Sequence, residues 1–297
     1  MVIPLDLTVT IGVKKLSNPV GVASGTFGYG SEYETLMDIS RLGAIYTKAV
    51  TLTPREGNEI PRIVETPSGI LNSIGLANVG VDRFLGEKLP ALAALPCAII
   101  ANVAGSTEDE YARVVERLEA AEKLWGYEIN VSCPNVKHGG LAFGTDPGQI
   151  ERLTGRLRGL TIKPLIIKLT PNVTDITVIA KAAEAGGADA VSCINTLVGM
   201  VIDTRCGKPV LPMGSGGLSG PAIRPVAVAM TYKVSRAVAI PVIGIGGIMC
   251  ADDALQFLLA GAKAIQVGTG TFVDPKIPVQ VLEGVEGYLK HQKLTHQ

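Results

Sequence analysis

Cys133 is the side chain whose position could make it a reagent. It stands in NVSCPN (130–135), where Pro134 stops the preceding strand and a glycine-rich stretch, HGG (138–140), follows. A thiol at that point suits a general base: a free cysteine has a pKa of about 8.5, so a modest shift or a closed loop suffices. A lone cysteine more often serves as a small buried hydrophobe. That plainer reading fits Cys97 and Cys193, inside apolar runs, and Cys250 at a helix start; Cys206, in a loop beside Arg205, is left open. None of the five cysteines forms a CxxC pair, and of three histidines His291 and His296 lie in a polar tail. No metal site, redox dithiol or histidine triad is expected from that inventory.

Two further patterns share the chemistry. Lys48, Asn102, Asn130, Lys168 and Asn195 each close an otherwise apolar run. A lone buried amide costs roughly 2–7 kcal/mol, so five such residues on one rim imply a ligand rich in carbonyl and N–H groups. Asparagine offers donor and acceptor together, which suits a flavin or a pyrimidine; a sugar would favour more carboxylates. The glycine runs GIGGI (244–248) and VGTGT (267–271) close the last two apolar runs. Glycine lets backbone N–H groups approach phosphate oxygens, and a helix N-terminus adds a favourable dipole. In barrels a phosphate often sits between the loops after strands seven and eight.

The elements that must position these residues follow a regular beat. Apolar, β-rich runs occur at 20–24, 44–49, 97–102, 127–132, 164–169, 189–194, 241–246 and 263–268. Continuous rather than alternating apolar runs indicate strands covered on both faces. Helix patterns lie between them. Residues 106–124 open with Ser106 or Thr107 ahead of Glu108 to Glu110, a capping signature; 174–186 stop at Gly186-Gly187, and 251–260 at Gly261. Eight units predict an α/β fold, a closed (β/α)8 barrel forming one domain over 1–297. A doubly wound open sheet is the rival, but no central reversal signal favours it. Residues 5–18 read as a hairpin plugging the opposite end, and 51–80, 133–146 and 195–219 as long loops on the C-terminal face. Residues 89–107 carry no charge, yet Pro90, Pro96 and Asn102 argue for helix end, turn and buried strand rather than a membrane span.

Composition excludes other classes. There are 27 basic and 27 acidic residues and 47% hydrophobic residues. No basic stripe points to nucleic acid or a membrane surface, and MVIPLDLTV shows no signal peptide. A cytoplasmic protein with reduced thiols is expected.

Longer motifs resemble the dihydroorotate dehydrogenase family: NVSCPN with HGG, IIKLTPN (166–172), INTLVGMVID (194–203), GSGGLSGPAIRPVA (214–227) and IGIGGI (243–248). The likeness runs from NPVGVASGTFGYG (18–30) to VGTGTF (267–272). The segment after Asn195 and GSGGLSGPAI resemble the NAD-linked, two-subunit type. The fumarate-linked type differs there, and the quinone-linked type has serine as base and an N-terminal extension. The resemblance implies that Cys133 removes a proton from carbon 5 of dihydroorotate while hydride leaves carbon 6 for flavin nitrogen 5. It implies FMN contacts from Ser24, Lys48, Ala49, Asn102, Asn130, Lys168, Ile194 and Gly220, with Gly246, Gly247, Gly268 and Thr269 at the phosphate end. It implies substrate contacts from Lys48, the loop Asn72, Ser73, Ile74, Gly75 and Leu76, and Asn130, Asn195 and Thr196. It also implies a partner subunit carrying FAD and a [2Fe–2S] cluster, in a heterotetramer around a homodimer of this chain; the chain itself has no four-cysteine cluster pattern. Rival readings are a fumarate-linked enzyme acting without a partner, a barrel lyase using Lys168 or Lys48 as a Schiff-base amine, and a flavoprotein scaffold without catalysis.

Overall fold

The computed structural model describes residues 6–132 and 143–295. Eight short parallel strands close into a barrel, and each falls on one of the apolar runs. They are β1 (Val20–Val22), β2 (Ala44–Tyr46), β3 (Ala98–Val103), β4 (Gly126–Asn130), β5 (Leu165–Leu169), β6 (Ala190–Cys193), β7 (Val242–Ile245) and β8 (Ala264–Val267). Each pairs with its sequence neighbours, and β8 returns to β1. The fold is a (β/α)8 barrel.

The helices form where local signals and apolar stripes agree. In Glu108–Glu119 the Thr107 hydroxyl accepts from the Glu110 N–H (3.1 Å), and the Glu110 carboxylate accepts from the Ser106 N–H (2.6 Å). Ile176–Ala185 is capped by Asp175, and Ala251–Leu259 starts at Cys250. Buried aliphatic residues on these helices cover the outer face of the barrel. The first unit departs from the expected pattern. Between β1 and β2 lie two 3-10 turns, Ser31–Tyr33 and Ile39–Arg41, instead of an α-helix. Gly28 and Gly30 take positive φ there, and Phe27 stacks on Tyr33 at 4.1 Å.

The barrel interior is layered, because side chains two apart on a strand share a face. At the N-terminal ends, Ala44, Tyr46, Ile100, Ile166, Ala190, Ile243 and Ala264 form an apolar floor. The hairpin Val9–Ile11 and Lys14–Leu16 closes it with Ile11 and Leu16, both buried. Two residues further along four of the same strands stand Asn102, Lys168, Ser192 and Gln266, all buried. At the rim, the segments after β2 and β6 are not plain loops. They build one antiparallel sheet in the order Leu197–Gly199, Gly216–Ser219, Gly69–Asn72, Ile63–Thr66.

Among the described residues no helix is long and apolar enough to cross a membrane. Residues 89–107 resolve as helix Leu89–Leu92, a turn and strand β3.

Candidate active site

The C-terminal mouth of the barrel opens into a cavity of about 550 Å³ beneath the four-stranded sheet, within the usual range for small-molecule sites. Every FMN- and substrate-contact residue expected from the sequence, Cys133 apart, lines it. Cys133 and the HGG run lie outside the described residues.

On one side, β4 and the segment after β6 meet. Asn130 Oδ1 accepts from Asn195 Nδ2 (3.3 Å) and from the Ser132 N–H (3.2 Å), while Asn195 Oδ1 accepts from the Thr196 N–H (2.8 Å). These bonds fix both asparagine side chains at the rim. Asn172, which the sequence reading left out, joins them by donating to the Thr196 carbonyl (3.0 Å). Above, Asn72 donates to the Gly217 carbonyl (3.0 Å), clamping the first long segment to the second. Beyond it the chain bends sharply: Gly75 has φ 73° and Leu76 φ 56°. A bulky non-glycine residue in the left-handed region costs of order 1–3 kcal/mol, and such residues cluster at active sites and ligand clamps.

On the opposite side, the chain leaves β7 through Gly246 (φ 137°) and Gly247 (φ 69°), a conformation that a side chain would strain. A Cβ on Gly247 would stand 2.7 Å from the Gly220 carbonyl oxygen and 3.1 Å from the Pro221 Cα, so two backbone segments meet there with no room for a side chain. Thr269 donates to or accepts from Ser219 (2.8 Å), joining the end of β8 to the overlying sheet. Gly270–Val273 is one helical turn, so this corner offers backbone N–H groups rather than a long macrodipole.

The floor of the cavity is polar. Lys168 Nζ lies 3.4 Å from Glu128 Oε1 and 3.4 Å from Ser24 Oγ. Asn102 Nδ2 donates to Glu128 (2.7 Å), and Asn102 Oδ1 is buried without a partner among the described residues. Glu128 was passed over in the sequence reading although it lies two residues before Asn130, and therefore on the same face of the strand.

The remaining thiols sort cleanly. Cys97 and Cys193 are buried, and burial pushes the first up to about 11 and the second up to about 12. Cys206 and Cys250 are exposed. For Cys250 this corrects the buried-hydrophobe expectation: it caps a surface helix, where the chain turns outward. Among the described residues no cluster of three or more His, Cys, Asp or Glu is placed to hold a metal ion.

Comparison with known proteins agrees with these motifs. The dihydroorotate dehydrogenase family model matches residues 6–289. A protein of Geotalea daltonii is 54% identical over 96% of this chain and 93% of its own length; one of Trichlorobacter lovleyi is 54% identical over 97% and 95%. One of Desulforamulus reducens is 53% identical over 96% and 94%. All three carry the name dihydroorotate dehydrogenase B (NAD(+)), catalytic subunit. A barrel whose rim gathers lysines, asparagines and strained glycines, matched along nearly its full length by one family, belongs to the dihydroorotate dehydrogenases.

Proposed function

We propose that this chain is the catalytic subunit of an NAD-linked dihydroorotate dehydrogenase, oxidising dihydroorotate to orotate in pyrimidine biosynthesis, with FMN in the rim cavity and Cys133 as base. The observation that carries the reading is the joint convergence of Lys48, Asn102, Asn130, Lys168 and Asn195 on one cavity whose far corner is a glycine cradle. The residues fit FMN. The cradle at Gly246 and Gly247 excludes any side chain and suits backbone N–H groups approaching a phosphate. The unpartnered Asn102 Oδ1 is an acceptor of the kind that a ring N–H satisfies.

Bound FMN supplies the hydride acceptor; the protein positions it and tunes its surroundings. Ser24, Ala49, Ile194 and Gly220 would hold it, with Gly268 and Thr269 serving its phosphate. Lys168 would supply positive charge to balance the negative charge that grows on reduction. Lys48 and the pair Asn130–Asn195 hold the planar substrate, and Thr196 and the loop Asn72, Ser73, Ile74, Gly75 and Leu76 enclose its outer edge. Cys133 takes the carbon 5 proton. General bases contribute about 10²–10⁴-fold, or about 3–5 kcal/mol of barrier.

Electrons would then leave through a second subunit carrying FAD and a [2Fe–2S] cluster, in a heterotetramer built on a homodimer of this chain; the relatives' names, each a catalytic subunit, support a further subunit. The cytoplasm, which keeps thiols reduced, is the matching compartment.

Two experiments test the reading. In anaerobic stopped flow, Cys133→Ala retains FMN but loses about 10²–10⁴-fold in the rate of flavin reduction by dihydroorotate; unchanged kinetics refute the base. Purified chain supplied with dihydroorotate and fumarate turns over slowly. Rapid fumarate turnover without a partner would assign the fumarate-linked reaction instead.

A further inference from the structure

Glu128 is fully buried in the barrel interior and belongs to no function stated so far. Its two oxygens collect donors from four other strands. Oε1 accepts from Asn102 Nδ2 on β3 (2.7 Å) and lies 3.4 Å from Lys168 Nζ on β5. Oε2 accepts from Ser192 Oγ on β6 (2.9 Å) and from Gln266 Nε2 on β8 (2.7 Å). In an eight-membered ring β4 and β8 are opposite, so the Gln266 bond crosses the barrel. The carboxylate therefore sits near the axis, between the apolar floor and the cavity. It does not line the cavity, whereas Lys168, Asn102 and Ser24 do.

An unpaired buried charge is costly, and a buried pair of charges is often no better than apolar packing. Stability alone gives little reason to place Glu128 here, under a site whose cofactor changes charge. Its placement does have an electrostatic consequence. Glu128 faces the Lys168 ammonium and accepts from the Asn102 amide, both of which line the cavity. Charges in this low-dielectric setting act strongly on each other.

We propose that Glu128 is a positioning residue that holds the Lys168 ammonium and the Asn102 amide against the cofactor and, as counter-charge to Lys168, sets the potential of the bound flavin. The proposal rests on FMN occupying the rim cavity. It predicts opposite signs for two single substitutions. Glu128→Gln leaves Lys168 uncompensated, and the midpoint potential of bound FMN rises. Lys168→Met leaves the carboxylate uncompensated, and the potential falls. The double variant returns to near the wild-type value, because the two losses cancel. Glutamine suits the test because the Ser192 hydroxyl and the Gln266 amide can both turn to match it.

The measurement is a dye-coupled reductive titration of the purified FMN-containing protein and its three variants. Shifts of opposite sign with cancellation in the double variant support the coupling. A Glu128→Gln potential equal to wild type overturns it and leaves the carboxylate as a fastener between strands. Should Glu128→Gln not fold alone, the double variant decides: a potential at the wild-type value supports the coupling, and one equal to that of Lys168→Met overturns it. A wild-type protein that takes up no FMN defeats the functional reading and this proposal together. One that binds FMN and is bleached by dihydroorotate, but shows no Glu128 effect, defeats only the proposal.

Discussion

The barrel floor and the barrel rim are built on the same strands, two to four residues apart, and they do opposite things. At the floor, Ile100, Ile166 and Ile243 pack with the plug residues Ile11 and Leu16 in an apolar layer. Two positions along, Ile100 gives way to Asn102 and Ile166 to Lys168; Ala190 and Ala264 are followed in the same way by Ser192 and Gln266. Strand geometry is constant, and the change of residue type alone converts a packed layer into a site. In such barrels the N-terminal end carries stability and the C-terminal end chemistry, and here the boundary falls between adjacent inward-facing positions.

The comparison breaks first at Ile166. Ile166→Ala removes a fully buried side chain from the floor and should cost about 2–5 kcal/mol in urea denaturation, while flavin reduction per folded molecule stays near wild type. A large fall in rate with little loss of stability would mean that the layers are not separable. At the rim the expectation inverts. Gly247→Ala forces a side chain to a φ of 69° and toward the Gly220 carbonyl, which should weaken FMN affinity by roughly 10–100-fold from about 1–3 kcal/mol of strain. Gly155→Ala is its control: Gly155 lies outside the cavity lining and a Cβ there would meet only the Gly186 carbonyl oxygen at 3.9 Å, so equal losses in both variants would contradict the cradle. Smaller still, Thr269→Val deletes the bond to Ser219 that ties rim to sheet, at about 0.5–1.5 kcal/mol, read as a modest rise in FMN dissociation. Thiol labelling at pH 8 sharpens the same contrast. In a Cys133→Ala background, Cys206 and Cys250 react readily. Cys97 and Cys193, pushed up to about 11 and about 12 by burial, stay unmodified, because less than about a thousandth of either is thiolate. Rapid labelling of all four would show that the barrel is not closed.

The fold was legible because buried parallel strands are written as continuous apolar runs. The run 97–102 matches β3 to within a residue, and 164–169 matches β5 likewise. The cavity lining was legible for a related reason: lysine or asparagine ending such a run is costly unless partnered, and Lys48, Asn102, Asn130, Lys168 and Asn195 all line the cavity. The rim sheet was not legible. Its strands are three or four residues long, and its central pairing joins Asn72 to Gly217, more than a hundred residues apart; local pattern does not encode such pairing. The first connection was misread because turns set by Gly28 and Gly30 occupy the place of a helix. Glu128 was passed over, though strand periodicity puts it on the same face as Asn130.

The account rests on FMN in the rim cavity being reduced there by dihydroorotate. The most direct measurement is the absorbance spectrum of the purified chain before and after anaerobic addition of dihydroorotate. The account predicts a flavin band that bleaches within the mixing time of a cuvette experiment. A colourless protein after reconstitution with FMN, or a yellow one that dihydroorotate leaves unchanged, would contradict it.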